Sequence, residues 1–334
     1  MPAPYTLIGV ESSPYSVKVR AVLRYRHLPH RWLCRMPQFT PELAHVRPLL
    51  MPIMRLPDGT NEVDSTPILL RLEDRHPNER SILPEDPVLD LFGRIIEDMA
   101  DEWLTKSLFH YRFAYEEDRA FAPLWVMDDT HPGSDSRSLA AIAEDFLQRQ
   151  SGRMSLVGAT PENAPVLIAA LDRVVAALGP FVALDRFLFG SRPSLADFGL
   201  FGQLKTVCTD PTPAALIRTR APRLEHWVRR ADDLSGVEGD WQDEAWPNDA
   251  VRALLNLAGD SYLPFLTENA RAIENGSPEV ALSVADGTYR QRSFSYQVKC
   301  LAALQEAYGS LDPSARERAD PILRDSGCLD HLSD

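Results

Sequence analysis

The chain is short of the features that would mark a metalloprotein, a disulfide scaffold or a nucleic-acid binder. Its 334 residues hold four cysteines, Cys34, Cys208, Cys300 and Cys328, spaced too widely for a zinc motif or a disulfide framework. In a reducing compartment they are expected as free thiols. The eight histidines include no His-x-x-x-His pair with a carboxylate between, so no metal site is expected. Positive charge is also scarce: 35 Lys and Arg against 48 Asp and Glu leave a net charge of −13. A phosphate-binding surface needs clustered basic residues, so nucleic acid is excluded as a partner. The basic residues that do gather, Lys18, Arg20, Arg24 and Arg26 in one run and Arg218, Arg220, Arg223, Arg229 and Arg230 in another, read as solvated helix faces. No stretch approaches the ~20 apolar residues that span a bilayer. Met1-Pro2-Ala3-Pro4 begins no basic-then-apolar leader, so no secretory signal and no membrane association are expected, and a cytoplasmic setting is the default.

What is present is an ordinary globular composition, 44% hydrophobic and 25% charged, with length for about two domains. Residues 5–10 form an apolar run of strand length. Glu11-Ser12-Ser13-Pro14 follows, then a helical pattern in which Val17, Ala21, Val22, Leu23 and Tyr25 share one broad face. Ser13 before Pro14 has the form of an N-cap with proline at the first helical position. Residues 31–35 are a second strand, and 40–46 make one or two helical turns. Residues 53–56 and 61–63 flank Pro57-Asp58-Gly59-Thr60, a hairpin signal. Ser65 then reads as the cap of a helix that stops near Pro77. The order over the first 80 residues is β-α-β-α-β-β-α. After the linker Leu83-Pro84-Glu85-Asp86-Pro87 the pattern becomes helical, with helices expected over 87–115, 136–154, 163–182, 194–208, 213–218 and 221–233. Beyond these, 248–275 and 296–308 read as helical, and Asp286-Gly287 between alternating residues suggests a hairpin over 280–294.

Three local signals stand in order along the first domain: Ser13-Pro14-Tyr15-Ser16 at a strand–helix junction, Met51-Pro52-Ile53 before the hairpin, and Asp64-Ser65 at the next helix start. Farther on, Phe189-Gly190-Ser191-Arg192-Pro193-Ser194-Leu195-Ala196-Asp197 has the form of a capping box at a helix start, a folding element with no part in a site. Over residues 4–234 this combination resembles the glutathione S-transferase superfamily, in particular the classes whose active-site Ser or Cys precedes Pro-Phe or Pro-Tyr. The resemblance implies an α/β thioredoxin-like glutathione-binding domain (1–82), an all-α C-terminal domain (87–234) and, as an addition without counterpart in ordinary members, a mainly helical extension (235–334).

The same resemblance implies glutathione as co-substrate, with a small hydrophobic electrophile as second substrate and a homodimer as the assembly. Ser13 takes the place of the catalytic hydroxyl, donating to the glutathione sulfur beside a helix N-terminus so that the thiolate is favoured. Pro52 matches the family's cis-proline, which turns the backbone of Met51 towards the cysteinyl part of glutathione. Ser65 would receive the γ-glutamyl carboxylate at a helix start, and Asp64 the ammonium group. Ser-x-x-Ser in place of a cysteine motif disfavours thiol–disulfide exchange, which needs a thiolate nucleophile. Gly-x-Ser-x-Gly is absent, so a serine hydrolase is excluded. Leu50, two residues before Pro52, stands where many members carry a polar glutathione contact. Together with the extension, it keeps a second reading open: a non-catalytic protein of the same fold that binds or scaffolds. Trp103, Phe109, Tyr111 and Tyr115, at helical spacing on the first long helix, read first as core, with lining of the electrophile pocket as the alternative.

Overall fold

The computed structural model describes residues 4–37, 40–77, 80–131, 133–182, 186–243 and 247–333. A four-stranded sheet of order β2-β1-β3-β4 forms first, from β1 (Tyr5–Gly9), β2 (His30–Cys34), β3 (Ile53–Arg55) and β4 (Asn61–Val63). β1 runs parallel to β2 and antiparallel to β3, and β4 closes the hairpin. α1 (Pro14–Tyr25) connects the two parallel strands and α2 (Ser65–Arg75) follows β4. Gly9 ends β1 because nothing larger fits: a Cβ there would lie 2.3 Å from Ser16 Oγ on α1.

α1 is buried on almost every side, since it packs against β1, α2 and α8 (Leu195–Val207). Three of the four members of the basic run expected as a solvated face are therefore inside the protein, and Arg24 is partly exposed. Lys18, Arg20 and Arg26 are 0%, 3% and 2% exposed. Each has an acid to meet it: Lys18 bonds Glu97 and Asp101, Arg20 bonds Glu11 and Asp232, and Arg26 bonds Glu73. A buried unpaired charge costs several kcal/mol, so a helix enclosed on all sides can carry cations only where acids converge on them. The second basic run behaves as expected, with Arg218, Arg220 and Arg229 side chains more than half exposed.

The helical part begins with a long broken rod: α3 (Pro87–Met99), a π-helical turn over Ala100–Leu104, and α4 (Thr105–Ala114). It continues with α5 (Glu116–Thr130), α6 (Ser136–Ser151), α7 (Ala164–Phe181), α8, α9 (Pro211–Arg220) and α10 (Pro222–Ala231). α5 was not expected from the sequence. Its buried residues, Asp118, Ala122, Pro123, Val126 and Met127, form a narrow stripe containing an acid and a proline, so its apolar periodicity is weak. α8 opens with the expected capping box, Ser194 and Asp197 each bonding the other's backbone. α7 qualifies the sequence reading on membrane spans: among the described residues it is long and apolar enough to cross a bilayer by length and composition. Its Val166, Leu167, Ala170, Leu171, Val174 and Val175 lie in the core.

The C-terminal extension holds α11 (Asp249–Leu257), a π-turn (Ala258–Tyr262), α12 (Leu263–Glu274), the hairpin β5 (Glu279–Val284) and β6 (Gly287–Arg292), α13 (Tyr296–Gly309), α14 (Pro313–Asp325) and α15 (Leu329–Leu332). It shares the main hydrophobic core with the preceding helices. α11 packs on α7 and α3, while α13 and α14 lie along α3.

Candidate functional site

The strand register brings the three sequence signals to one end of the sheet. Ile8 near the end of β1 pairs with Ile53 at the start of β3, and Ile53 pairs with Val63 at the end of β4. The loop after β1 with Ser13, the Met51-Pro52 segment before β3 and the Asp64-Ser65 pair after β4 therefore leave the sheet on the same side. Met51–Pro52 is a cis peptide bond, as the sequence suggested.

Ser13 is the N-cap of α1. Its φ/ψ of −97°/115° is extended, and its Oγ accepts from the Ser16 N–H at 3.3 Å. That bond uses a lone pair of the hydroxyl and leaves its proton free to donate, so capping and a contact to a ligand's sulfur do not compete. The helical domain pins this loop from the other side. Asp129 on α5 accepts from the Glu11 N–H at 2.6 Å and from Cys34 Sγ at 2.8 Å. Arg112 on α4 donates to the Ser12 carbonyl at 3.3 Å while its Nε bonds Asp210 at 2.7 Å. Sequence reasoning missed both anchors, since nothing local in the sequence relates residues about a hundred positions apart. Burial, then the neighbouring Asp129, pushes the Cys34 thiol up to about 12, which removes it as a nucleophile beside the site.

At the second junction the structure corrects the expected cap. The N-cap of α2 is Asp64, and Ser65 is the first helical residue. Asp64 has φ 75°, a left-handed backbone uncommon for a residue with a side chain, and its carboxylate does not bond its own helix. Instead Asp64 Oδ2 accepts from the hydroxyl of Tyr296, 232 residues away in the extension, at 2.7 Å. Ser65 is 4% exposed and its Oγ donates to Asp101 Oδ2 at 3.3 Å. Asp101 belongs to the π-helical turn, an irregularity that alters which residues of the rod face the first domain. It also accepts from Lys18 Nζ at 2.5 Å, and Lys18 further bonds Glu97 at 2.5 Å and Thr66 at 3.2 Å. One lysine cannot neutralise two buried carboxylates. Burial, only partly offset by Lys18, raises Asp101 to about 7. Tyr15 is tied to the same turn, its hydroxyl 3.0 Å from the Asp101 carbonyl.

The aromatic residues of the rod divide. Trp103 is fully buried against Tyr289 (centroids 4.8 Å apart) and Phe265 (5.4 Å) of the extension, and Tyr111 is 2% exposed. Both belong to the core. Phe109 is partly buried and joins Met51 and Trp125 against a small separate cluster of Val10, Met36, Phe113, Val126, Met127, Ala143 and Phe146. This apolar group adjoins the first and second signals through Val10 and Met51. Leu50 is 46% exposed. Two open clefts, one lined by Leu70, Arg94 and Ala303 and one by Asp172 and Arg223, include none of Ser13, Met51, Pro52, Asp64 and Ser65.

Two stretches of the chain match models of known protein families. Residues 7–80 match the family model of the glutathione S-transferase N-terminal domain, and residues 158–230 that of the glutathione S-transferase C-terminal domain. The chain belongs to the glutathione S-transferase superfamily. No curated protein matches it. Among solved structures it is similar to a glutathione S-transferase from Methylobacterium radiotolerans in complex with glutathione sulfonate, at 23% identity over 72% of this chain and 99% of that one, TM-score 0.44. It is also similar to the β-etherase LigF from Sphingobium, at 16% identity over 68% and 94%, TM-score 0.45. A third is a glutathione S-transferase from Rhodospirillum rubrum, at 16% identity over 75% and 91%, TM-score 0.42. In this superfamily member the N-terminal match ends just before the linker, and both matches end before the extension.

Proposed function

We propose that this chain is a cytoplasmic glutathione transferase that binds glutathione at the end of the sheet and activates its thiol for attack on a small hydrophobic electrophile. The observation that carries the reading is the register, which puts Ser13, the Met51-Pro52 segment and Asp64-Ser65 on one side of the sheet. In this reading Ser13 donates its free proton to the sulfur. The N-terminal end of α1 adds a favourable field, and the two effects together lower the thiol pKa by roughly one or two units. Met51 offers backbone groups to the cysteinyl part. Asp64 takes the γ-glutamyl ammonium, and Ser65 at the N-terminal end of α2 its carboxylate. The apolar cluster around Met51 and Phe109 receives the electrophile. A homodimer is part of the proposal by family likeness alone.

A second reading, a non-catalytic binding or scaffold protein, is favoured by one set of observations. The side chains meant for the γ-glutamyl end already have internal partners, Ser65 on Asp101 and Asp64 on Tyr296, and Leu50 offers no polar contact. Calorimetric titration of glutathione into the native chain, Ser65→Ala and Ser13→Ala separates the two. The transferase reading expects binding that is sharply weakened in Ser65→Ala and retained in Ser13→Ala. Absence of binding by the folded native protein at millimolar glutathione leaves the scaffold.

A further inference from the structure

The extension reaches the γ-glutamyl end of the proposed site through a single turn of chain. Its hairpin and the start of α13 present Gln291, Tyr296 and Gln297 to the rod and to α2. Gln291 Oε1 accepts from the buried Lys106 at 2.6 Å, Gln297 Nε2 donates to Glu102 at 3.1 Å, and Tyr296 donates to Asp64 at 2.7 Å. The segment just ahead is fixed by Asn269 on α12, fully buried, whose amide bonds both the N–H and the carbonyl of Phe294, at 2.8 and 2.9 Å. Tyr296 is thus held in place by contacts that do not involve Asp64 itself.

Asp64 and Tyr296 are each only partly buried, in contrast to the enclosed Lys18 group beneath them. An ionised carboxylate has about four acceptor sites and the Tyr296 bond takes one, while the phenolic oxygen keeps lone pairs of its own. Asp64 Oδ1 makes no hydrogen bond among the described residues. Burial, and next the charge of Asp64, hold the Tyr296 hydroxyl well above its ordinary pKa, so it remains a donor to Asp64 at any working pH. The result is a pair of adjacent acceptors, one anionic and one neutral, from opposite ends of the chain. Such a pair suits a primary ammonium group, which brings three N–H donors to be satisfied.

We propose that Tyr296 is a glutathione-positioning residue supplied by the extension: it orients the Asp64 carboxylate and shares the γ-glutamyl ammonium with it. This rests on the glutathione reading above and gives the extension a role in selecting the ligand. Recognition then depends on the amine, and a γ-glutamyl nitrogen that has lost its charge and two of its donors is refused.

The test compares native protein with Tyr296→Phe, which keeps the ring and its packing, against glutathione and against glutathione acetylated on the γ-glutamyl nitrogen. The native chain is expected to prefer glutathione by tenfold or more. Tyr296→Phe is expected to bind glutathione at least about tenfold more weakly, as fits the loss of one hydrogen bond to a charged group. Its affinity for the acetylated ligand should be unchanged, so the preference shrinks, a change that a purely structural role would not produce. Equal glutathione affinity in the two proteins overturns the proposal and leaves the transferase reading standing. Tighter glutathione binding by Tyr296→Phe also overturns it, showing that the tyrosine competes with the ligand for Asp64. If the native chain binds no glutathione, the transferase reading itself has failed.

Discussion

Single side chains in this protein show how burial decides what a residue can do. Lys18 read as one member of a basic face, yet it is enclosed by Glu97, Asp101 and Thr66 at the foot of α2. From sequence its fate was hidden because its two acidic partners lie about eighty residues away. His110 on α4 is the opposite case. It is 5% exposed, stands edge-on to Tyr111 and Tyr115, and neither ring nitrogen has a hydrogen-bond partner among the described residues. Burial therefore lowers its pKa below the ordinary value of about 6.5. The unfolded chain binds this proton more readily than the folded one, so stability rises with pH where the two differ. The contribution is complete above about pH 6.5 and is lost as the pH falls from there through the folded pKa, with a slope of at most about 1.4 kcal/mol per pH unit. His110→Phe, which keeps the aromatic packing, is expected to flatten the native pH dependence of urea-unfolding stability between pH 7 and 5. If native and variant lose stability in parallel over that range, His110 is not a source of the acid sensitivity.

At the scale of elements, α1 and α8 meet in close contact. Gly202 sits inside α8, and a Cβ there would meet the Pro14 carbonyl oxygen at 2.5 Å and Lys18 Cβ at 3.2 Å. The nearer atom is backbone and cannot swing aside. Gly202→Ala gains up to about 1 kcal/mol of helix propensity, yet overpacking a close interface costs about 1–3 kcal/mol. The net expectation is a loss of stability by about 1–2 kcal/mol, read as a lower denaturation midpoint with an unchanged m-value. A variant as stable as the native chain would mean that α1 and α8 separate without cost. The elements at this join were legible in the sequence because local chemistry marks them: Ser13-Pro14 starts α1 and the Ser194–Asp197 capping box starts α8. The hairpins at Asp58-Gly59 and Asp286-Gly287 were legible for the same reason. α5 was not, because its buried stripe includes Asp118 and Pro123. The π-turn that aims Asp101 was not, because the extra residue leaves no mark on an apolar pattern that stays continuous from Val88 to Leu108. At the site, Ser13, the Met51-Pro52 segment and Asp64-Ser65 could be named because each is a local signal. Asp129, Arg112 and Tyr296 could not, since only the fold brings them there.

For the whole molecule the question is whether the extension is an appendage or part of the same folding unit. Trp103, fully buried on the rod, has Tyr262, Phe265 and Tyr289 of the extension as its ring neighbours. Asn163, ahead of α7, bonds the backbone of Arg290 on β6 through both ends of its amide, at 2.6 and 2.9 Å. Arg173 on α7 meets Asp260 and Asp286, and Tyr262 donates to the partly buried Asp98 on α3 at 2.6 Å. Removing the extension would uncover apolar surface on α3, α4 and α7 together and take from Asp98, Asn163 and Lys106 the partners it supplies, Tyr262, Arg290 and Gln291. Large buried aromatics lose about 3–5 kcal/mol when even one is truncated, against a total stability of roughly 5–15 kcal/mol for a domain. A chain ending at residue 243 is therefore expected to lose its fixed tertiary packing: weak near-UV circular dichroism, binding of a hydrophobic dye and a broad thermal transition. The full chain should instead unfold in one step, with tryptophan fluorescence and far-UV circular dichroism changing at the same denaturant concentration. A shortened chain with a sharp transition and native near-UV signal would show that residues 4–243 fold alone. The extension would then be a separable cover, joined to the site only through contacts such as that of Tyr296 with Asp64.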